Sequence, residues 1–179
     1  NDENNDWVVK TSEGNEILAK CIVIAAGAGS FVPRKPPITG IAEFENKSIF
    51  YSVKNKDLFK NKKILIAGGG DSAIDWVNEL SKSSFVTLVH RRKDFRAATD
   101  SVNKMLDLEK NKKINFLVGN IDSVNGQNGD LESVTVISGD EKYKIDVDYF
   151  LPFYGLKMEL GPIANWNLKL KDGLIVVDT

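Results

Sequence analysis

The sequence predicts an α/β fold: a parallel sheet with helices on both faces, into which an antiparallel β-meander is inserted. Three observations predict it. Ile64-Leu65-Ile66-Ala67 is a continuous apolar run, as expected of a parallel strand covered on both sides, and Phe85 to Val89 and Ile114 to Val118 read as further buried strands. Helical stretches at Asp71 to Lys82 and Phe95 to Glu109 separate them, and this alternation joins parallel strands by right-handed crossovers. After Val118 the pattern shifts to short alternating segments, split by Gly126, Asn128-Gly129-Asp130 and Gly139-Asp140.

The remaining elements follow in chain order. Trp7 to Thr11 reads as a strand, Ser12 to Asn15 as a turn, and Glu16 to Ala26 as a second strand ending in a buried apolar run; the two strands suit a hairpin. Cys21 lies in that run and reads as a small core residue. Ala25-Ala26-Gly27-Ala28-Gly29 and Phe31-Val32-Pro33-Arg34-Lys35-Pro36-Pro37 mark an irregular, exposed connection. Ile49 to Val53 is a short β-like run, and Lys60-Asn61-Lys62-Lys63 is a solvated turn. The first helix places Ala73, Ile74, Val77 and Leu80 on one face; the second is anchored by Val102, Met105, Leu106 and Leu108. The meander comprises Ile121 to Val124, Leu131 to Ser138 and Tyr143 to Val147. Tyr149 to Phe153 is a last buried strand leading into Tyr154-Gly155, Leu160-Gly161-Pro162 breaks the chain, and Gly173 to Val177 is a final strand.

The bulk numbers bound the function. The chain has 179 residues, 42% hydrophobic and 27% charged, an ordinary globular balance. A formal charge of −1 supplies no global field toward nucleic acid or anionic membrane, so anion binding must come from local clusters. The longest apolar run, Cys21 to Ala26, is far too short to span a bilayer, and Asn1 to Asp6 lack the features of a signal peptide. These features point to a cytoplasmic protein with neither nucleic-acid nor membrane partners. One cysteine cannot form an internal dithiol pair.

Gly68-Gly69-Gly70-Asp71-Ser72-Ala73 follows a strand, opens a helix and fits G-x-G-x-x-A, the phosphate-binding turn of Rossmann folds. Gly68 permits the tight turn, Gly70 leaves room for a pyrophosphate against bare backbone, and Ala73 lets the helix pack close to the sheet. The positive end of the helix faces the phosphates, and the Ser72 hydroxyl adds a donor. Outside this strand–turn–helix context the same glycines would suit a ligand-free turn.

In folds that bind NAD an acidic residue stands about 20 residues past the glycines and holds the ribose 2′-hydroxyl. Here that place reads Val89-His90-Arg91-Arg92, with Arg96 close behind and no carboxylate at the strand end. Guanidinium groups grip a 2′-phosphate through bidentate, charge-assisted bonds of about 1.5–3 kcal/mol each. Two or three of them favour NADPH over NADH by a factor on the order of a hundred or more. The alternative is a basic, solvated helix start, which the macrodipole disfavours. His90, the only histidine, reads as a positioning or packing residue near the adenosine end, and Asp71 and Asp75 as structural.

Together, Gly68-Gly69-Gly70-Asp71-Ser72-Ala73 and His90-Arg91-Arg92-x-x-Phe95-Arg96-Ala97 resemble the NADPH module of thioredoxin-reductase-like flavoproteins. Ala26-Gly27-Ala28-Gly29-Ser30-Phe31-x-Pro33-Arg34-Lys35, Asp71-Ser72-Ala73-x-Asp75-Trp76 and Leu160-Gly161-Pro162-Ile163-x-Asn165-Trp166 resemble, within that group, the type 2 ferredoxin–NADP⁺ reductases. Thioredoxin reductases carry a C-x-x-C pair where this chain has Tyr51-Ser52-Val53-Lys54-Asn55, so a dithiol shuttle is not expected.

The resemblance implies a homodimeric enzyme with non-covalent FAD that passes electrons from NADPH to ferredoxin or flavodoxin. It implies that Gly69, Gly70, Asp71 and Ser72 hold the pyrophosphate, that Arg91, Arg92 and Arg96 hold the 2′-phosphate, that Gly155 lets backbone approach the nucleotide and that Phe31 contacts FAD; Gly68, Ala73 and His90 also count among the expected cofactor-binding residues. No residue reads as a proton-transfer catalyst; hydride transfer to flavin depends on orientation. The expected organisation is a central fragment: residues 1–48 and 156–179 as β-rich remnants of an FAD-binding domain, residues 49–155 as the NADPH-binding domain, and a hinge near Phe50–Asn55 and Tyr154–Lys157. Such a fragment is expected to bind NADPH and to hold FAD weakly or not at all. The other readings are a thioredoxin-reductase-like flavoprotein with a different acceptor, and a non-enzymatic NADPH-binding module.

Overall fold

The computed structural model describes residues 6–27 and 29–177; the expectations that fall on residues 1–5, Ala28 and Asp178-Thr179 lie outside the described residues. The chain divides into two compact units, one made of residues 1–31 with 158–179 and the other of Val32–Lys157.

In the first unit, β1 (Trp7–Lys10) and β2 (Glu16–Ala19) form the expected antiparallel hairpin, in register from Trp7 opposite Ala19 to Lys10 opposite Glu16. Its turn is closed by the Thr11 amide donating to Asn15 O at 2.9 Å and the Asn15 amide donating to Thr11 Oγ1 at 3.1 Å. The strand predicted to run to Ala26 stops at Ala19. Beyond it Cys21 is exposed, not a core residue, and Val23 is 86% exposed, because no described strand pairs with this run or covers it. β3 (Ser30–Pro33) is a strand where an irregular connection was expected.

The second unit carries the predicted core. β4 (Lys63–Ala67), α1 (Asp71–Leu80), β5 (Phe85–His90), α2 (Thr99–Lys110) and β6 (Ile114–Val118) alternate as expected. The meander is β7 (Asn120–Gln127), β8 (Asp130–Ser138) and β9 (Glu141–Asp146), and β10 (Tyr149–Pro152) closes the unit. The main sheet runs β10-β4-β5-β6 with every pairing parallel.

The two helices do not flank the sheet as predicted; both lie on one face. β4 shows this by alternation. Ile64 and Ile66 pack with Ala73, Ile74, Val77 and Leu80 of α1 and Met105 of α2. Leu65 and Ala67 point the other way, onto Val134, Val136 and Leu131 of the meander and onto Ile38, Ile41 and Phe44. The cause is topological. Both crossovers, β4 to β5 and β5 to β6, step in the same direction, so one handedness sends both helices to the same side. The return from β6 to β10 steps the opposite way, and that connection is the meander, which covers the second face.

All four predicted anchors of α1 are at most 1% exposed, each stabilising by about 1.5–3 kcal/mol for the larger aliphatic side chains. In α2 the phase differs from the prediction: Met105 is fully buried, Val102 and Leu108 are partly covered, and Leu106 is 41% exposed. Residues ahead of β4 also enter this unit. Of the run Ile49 to Val53 only Ile49 bridges a strand, with Phe150, and the Phe50 amide donates to Phe150 O at 3.1 Å. Phe50–Asn55, an expected hinge crossing, thus lies inside a packed unit. Buried Ser48 ties the same segment to the meander, donating to Gly129 O at 2.7 Å and accepting from the Leu131 amide at 3.1 Å.

After β10 the chain forms β11 (Leu156–Glu159), which pairs with β3 and was not read from the sequence. β12 (Leu170–Lys171) and β13 (Leu174–Ile175) make a short hairpin, so the final strand is shorter than Gly173 to Val177. No helix among the described residues is long and apolar enough to cross a membrane.

Candidate functional site

β10 lies on one side of β4 and β5 on the other, so the strand order reverses at the carboxyl end of β4. In open parallel sheets ligands occupy the crevice at such a reversal. The chain places Gly68-Gly69-Gly70 there, and the three glycines are required for three different reasons.

Gly68 has φ 151°, and a Cβ on it would stand 2.5 Å from Phe153 O and 3.0 Å from the Ala73 Cβ. It therefore permits the turn and the close approach of α1, whose Ala73 is fully buried. Gly69 is crowded by a side chain: a Cβ would meet His90 Cε1 and Nε2 at 2.4 Å. Gly70 is the opposite case. Its φ is −98° and a Cβ would meet nothing within 4 Å, so open space lies against its backbone. Gly70 is the N-cap of α1 and supplies no side-chain cap, so the first-turn amides of Asp71 and Ser72 are left without a capping side chain. Ser72 is exposed beside them. A bare backbone, free helix amides and a dipole end suit a pyrophosphate.

The backbone of one basic residue, Arg96, lies at the same turn. The Arg96 amide donates to Gly69 O at 2.7 Å, and Gly70 and Arg96 form an isolated parallel bridge. Arg96 was expected inside a helix beginning at Phe95, but α2 begins at Thr99. Phe95 is held out of the helix by stacking on His90, with centroids 5.4 Å apart, and by contact with Phe116. Arg91 and Arg92 follow directly on β5 and, like Arg96, are exposed. Among the described residues none of the three guanidinium groups takes part in an ion pair.

His90 fills the space under Gly69, and its Nε2 lies 3.2 Å from Asp94 O. Burial lowers its pKa below the ordinary value, the bond to Asp94 O opposes this, and the positive charges of Arg91 and Arg92 add to the lowering. The imidazole is therefore a neutral wedge. Asp71 is engaged with the chain itself: its Oδ1 accepts the Ala98 amide at 2.8 Å. Asp75 accepts the Ser101 hydroxyl at 2.8 Å, a structural link between α1 and α2.

Gly155 has φ 87° with nothing within 4 Å of a Cβ, and its carbonyl accepts the Arg34 amide at 2.9 Å. Beside it, desolvation pushes the Tyr154 phenol up to about 12, keeping it a neutral donor. Phe31 belongs to the other unit, on β3, with its ring 68% exposed. Sequence reasoning missed the carbonyl of Phe153 against Gly68 and the stack of Phe95 on His90. The aromatic pair at positions 90 and 95 was the one available signal for the stack.

Comparison with known proteins shows what the chain is similar to. The chain is 53% identical over 179 residues to the ferredoxin–NADP reductase of Parvibaculum lavamentivorans, covering 99% of this chain and 52% of that protein. It is 48% identical over 179 residues to the enzyme of that name from Mesorhizobium japonicum, again covering 99% and 52%. The chain thus spans about half the length of the curated relatives it matches. Among solved structures it superposes on Lactococcus lactis thioredoxin reductase with a TM-score of 0.76 at 25% identity, covering 99% of this chain and 58% of that one. The bacillithiol disulfide reductase of Staphylococcus aureus shares the fold at a TM-score of 0.76 and 19% identity, covering 95% and 51%. The resemblance read from the motifs is borne out. A family model for pyridine nucleotide-disulphide oxidoreductases matches residues 2–179, and with the glycine turn, the reversed strand order and the relatives all in agreement, the chain belongs to that family.

Proposed function

We propose that this chain is the NADPH-binding portion of a flavin-dependent oxidoreductase that passes electrons from NADPH, through FAD, to ferredoxin or flavodoxin. The observation that carries the reading is the open space at Gly70, bordered by free helix amides and by Arg96, whose backbone is bonded to Gly69. In this reading Gly68, Gly69, Gly70, Ser72 and Ala73 shape the pyrophosphate cradle, and Gly155 borders the nucleotide. Arg91, Arg92 and Arg96 supply charge for the 2′-phosphate, and neutral His90 holds the turn against which they stand. Asp71 belongs to the site through the loop it holds. Phe31 would contact FAD, its exposed ring offering a flat apolar face. Bound FAD would take hydride from NADPH and release electrons one at a time, while the protein orients and shields the reactants.

Residues 49–155 would carry the NADPH-binding domain, with the segment from Ile38 to Phe44 packed on its sheet. Residues 1–48 and 156–179 would derive from an FAD-binding domain, and the whole protein would work as a cytoplasmic homodimer. A thioredoxin-reductase-like enzyme with another acceptor is the second reading, favoured by the fold it shares with thioredoxin reductase. Against it stands Tyr51-Ser52-Val53-Lys54-Asn55, which holds no cysteine pair.

The test is NADPH-driven reduction of ferredoxin and of disulfide substrates by the full-length gene product. Ferredoxin or flavodoxin reduction with no disulfide turnover is expected. Oxidation of NADPH coupled only to disulfides would overturn the assignment of the acceptor.

A further inference from the structure

Asp71 is the first residue of a helix whose free amides face an anion site, a place where a carboxylate would repel the ligand. Its hydrogen bond explains why it is tolerated. The carboxylate is turned to Ala98, the N-cap of α2, and α2 has no cap from its own neighbourhood. One negative charge therefore serves the positive ends of two helices. Between the two elements runs the loop with the basic residues. It is fastened to the glycine turn at two points, two residues apart: the Arg96 amide on Gly69 O at 2.7 Å and the Ala98 amide on Asp71 Oδ1 at 2.8 Å. The stack of Phe95 on His90 fixes the loop from its other side. The Arg96 side chain itself is exposed and has no ion pair among the described residues, so only its backbone sets where the guanidinium stands.

Resting on the NADPH reading above, we infer that Asp71 is a specificity-determining positioning residue: its bond to the Ala98 amide sets Arg96 against the glycine turn, and thereby sets the preference for a nucleotide bearing a 2′-phosphate. Asp71 touches no part of the ligand in this role. Removing its charge from the mouth of α1 favours both nucleotides through their shared pyrophosphate, and any extra gain at the 2′-phosphate raises the NADPH preference, opposite in sign to the loss expected through Arg96. A loss of preference, read from the ratio of their dissociation constants, therefore reports the effect that travels through Arg96.

The experiment measures that ratio by calorimetric titration for the chain and for Asp71→Ala, Asp71→Asn and Ala98→Pro. Asparagine retains an acceptor oxygen. Proline removes the amide donor, and its fixed φ suits the −56° of Ala98. Asp71→Ala and Ala98→Pro are expected to lower the NADPH preference about tenfold each, the equivalent of about 1.4 kcal/mol. The double variant should lose no more than either alone, since both break one bond. Asp71→Asn should keep most of the preference. An unchanged ratio in Asp71→Ala or in Ala98→Pro, with circular dichroism showing a folded chain, overturns the inference. Should Asp71→Ala not fold, Ala98→Pro decides alone. Failure of the unaltered chain to prefer NADPH would instead overturn the underlying coenzyme reading.

Discussion

The imidazole of His90 lies against Gly69 so closely that a Cβ on the glycine would stand 2.4 Å from two ring atoms. The end of β5 and the glycine turn are in this way fitted to each other, and Arg91 and Arg92 follow directly on that contact in the chain. Gly69→Ala should destabilise the chain by about 1–3 kcal/mol, as overpacking does. The variant Gly69→Ala with His90→Ala should recover part of the loss, because the side chain that clashes is gone. Chemical denaturation of the two variants checks this; equal stability of Gly69→Ala and the unaltered chain would sink it.

Gly70 separates binding from folding. With φ at −98° and no atom within 4 Å, a side chain there strains nothing. Gly70→Ala should cost about 1 kcal/mol or less, the difference between glycine and alanine at an N-cap. Gly70→Val should lower NADPH affinity by about tenfold or more by filling the cradle, while its melting temperature stays near that of Gly70→Ala. If the valine variant binds NADPH as the unaltered chain does, the pyrophosphate does not lie there. Gly68→Ala is the contrast: a Cβ 2.5 Å from Phe153 O at φ 151° should lower stability directly.

The state of His90 gives a pH dependence. Its folded pKa lies below the ordinary 6.5, so between those two values the unfolded chain holds a proton that the folded chain does not. Lowering the pH through that window favours unfolding. Stability is therefore full above 6.5 and falls as the pH drops toward the folded value. Thermal melts from about pH 7 to about pH 5 should fall less steeply in His90→Gln than in the unaltered chain. Parallel slopes would mean that the imidazole titrates as it does in water.

The phase of α2 is open to a simple comparison. Met105 is fully buried and Leu106 is 41% exposed, so Met105→Ala should cost about 2–5 kcal/mol and Leu106→Ala about 0.5 kcal/mol or less. Comparable losses in both would contradict the observed packing.

Local chemistry was legible and long-range pairing was not. β4, the glycine turn and α1 could be read because each residue there answers a local demand: apolar β-formers, a turn without side chains, then Ala73, Ile74, Val77 and Leu80 at helical spacing. The first turn assigned to α2 was misplaced because Phe95 and Arg96 have good helical credentials and are diverted by partners distant in sequence, Phe116 and Gly70. Cys21 and Val23 look like core by composition, yet burial needs a neighbour, and no described strand pairs with that run. The candidate site residues could be proposed from the sequence because phosphate recognition draws on a compact turn and a nearby strand end. The use of Asp71 was hidden because its partner, the Ala98 amide, has no side-chain signature.

The most direct measurement is a calorimetric titration of the chain with NADPH and with NADH, before and after changing Arg91 and Arg92 to alanine. NADPH is predicted to bind tighter by about a hundredfold or more, and the double alanine variant to bring the two within about tenfold by weakening NADPH alone. Equal affinities in the unaltered chain, or a ratio unmoved by loss of both arginines, would contradict the account.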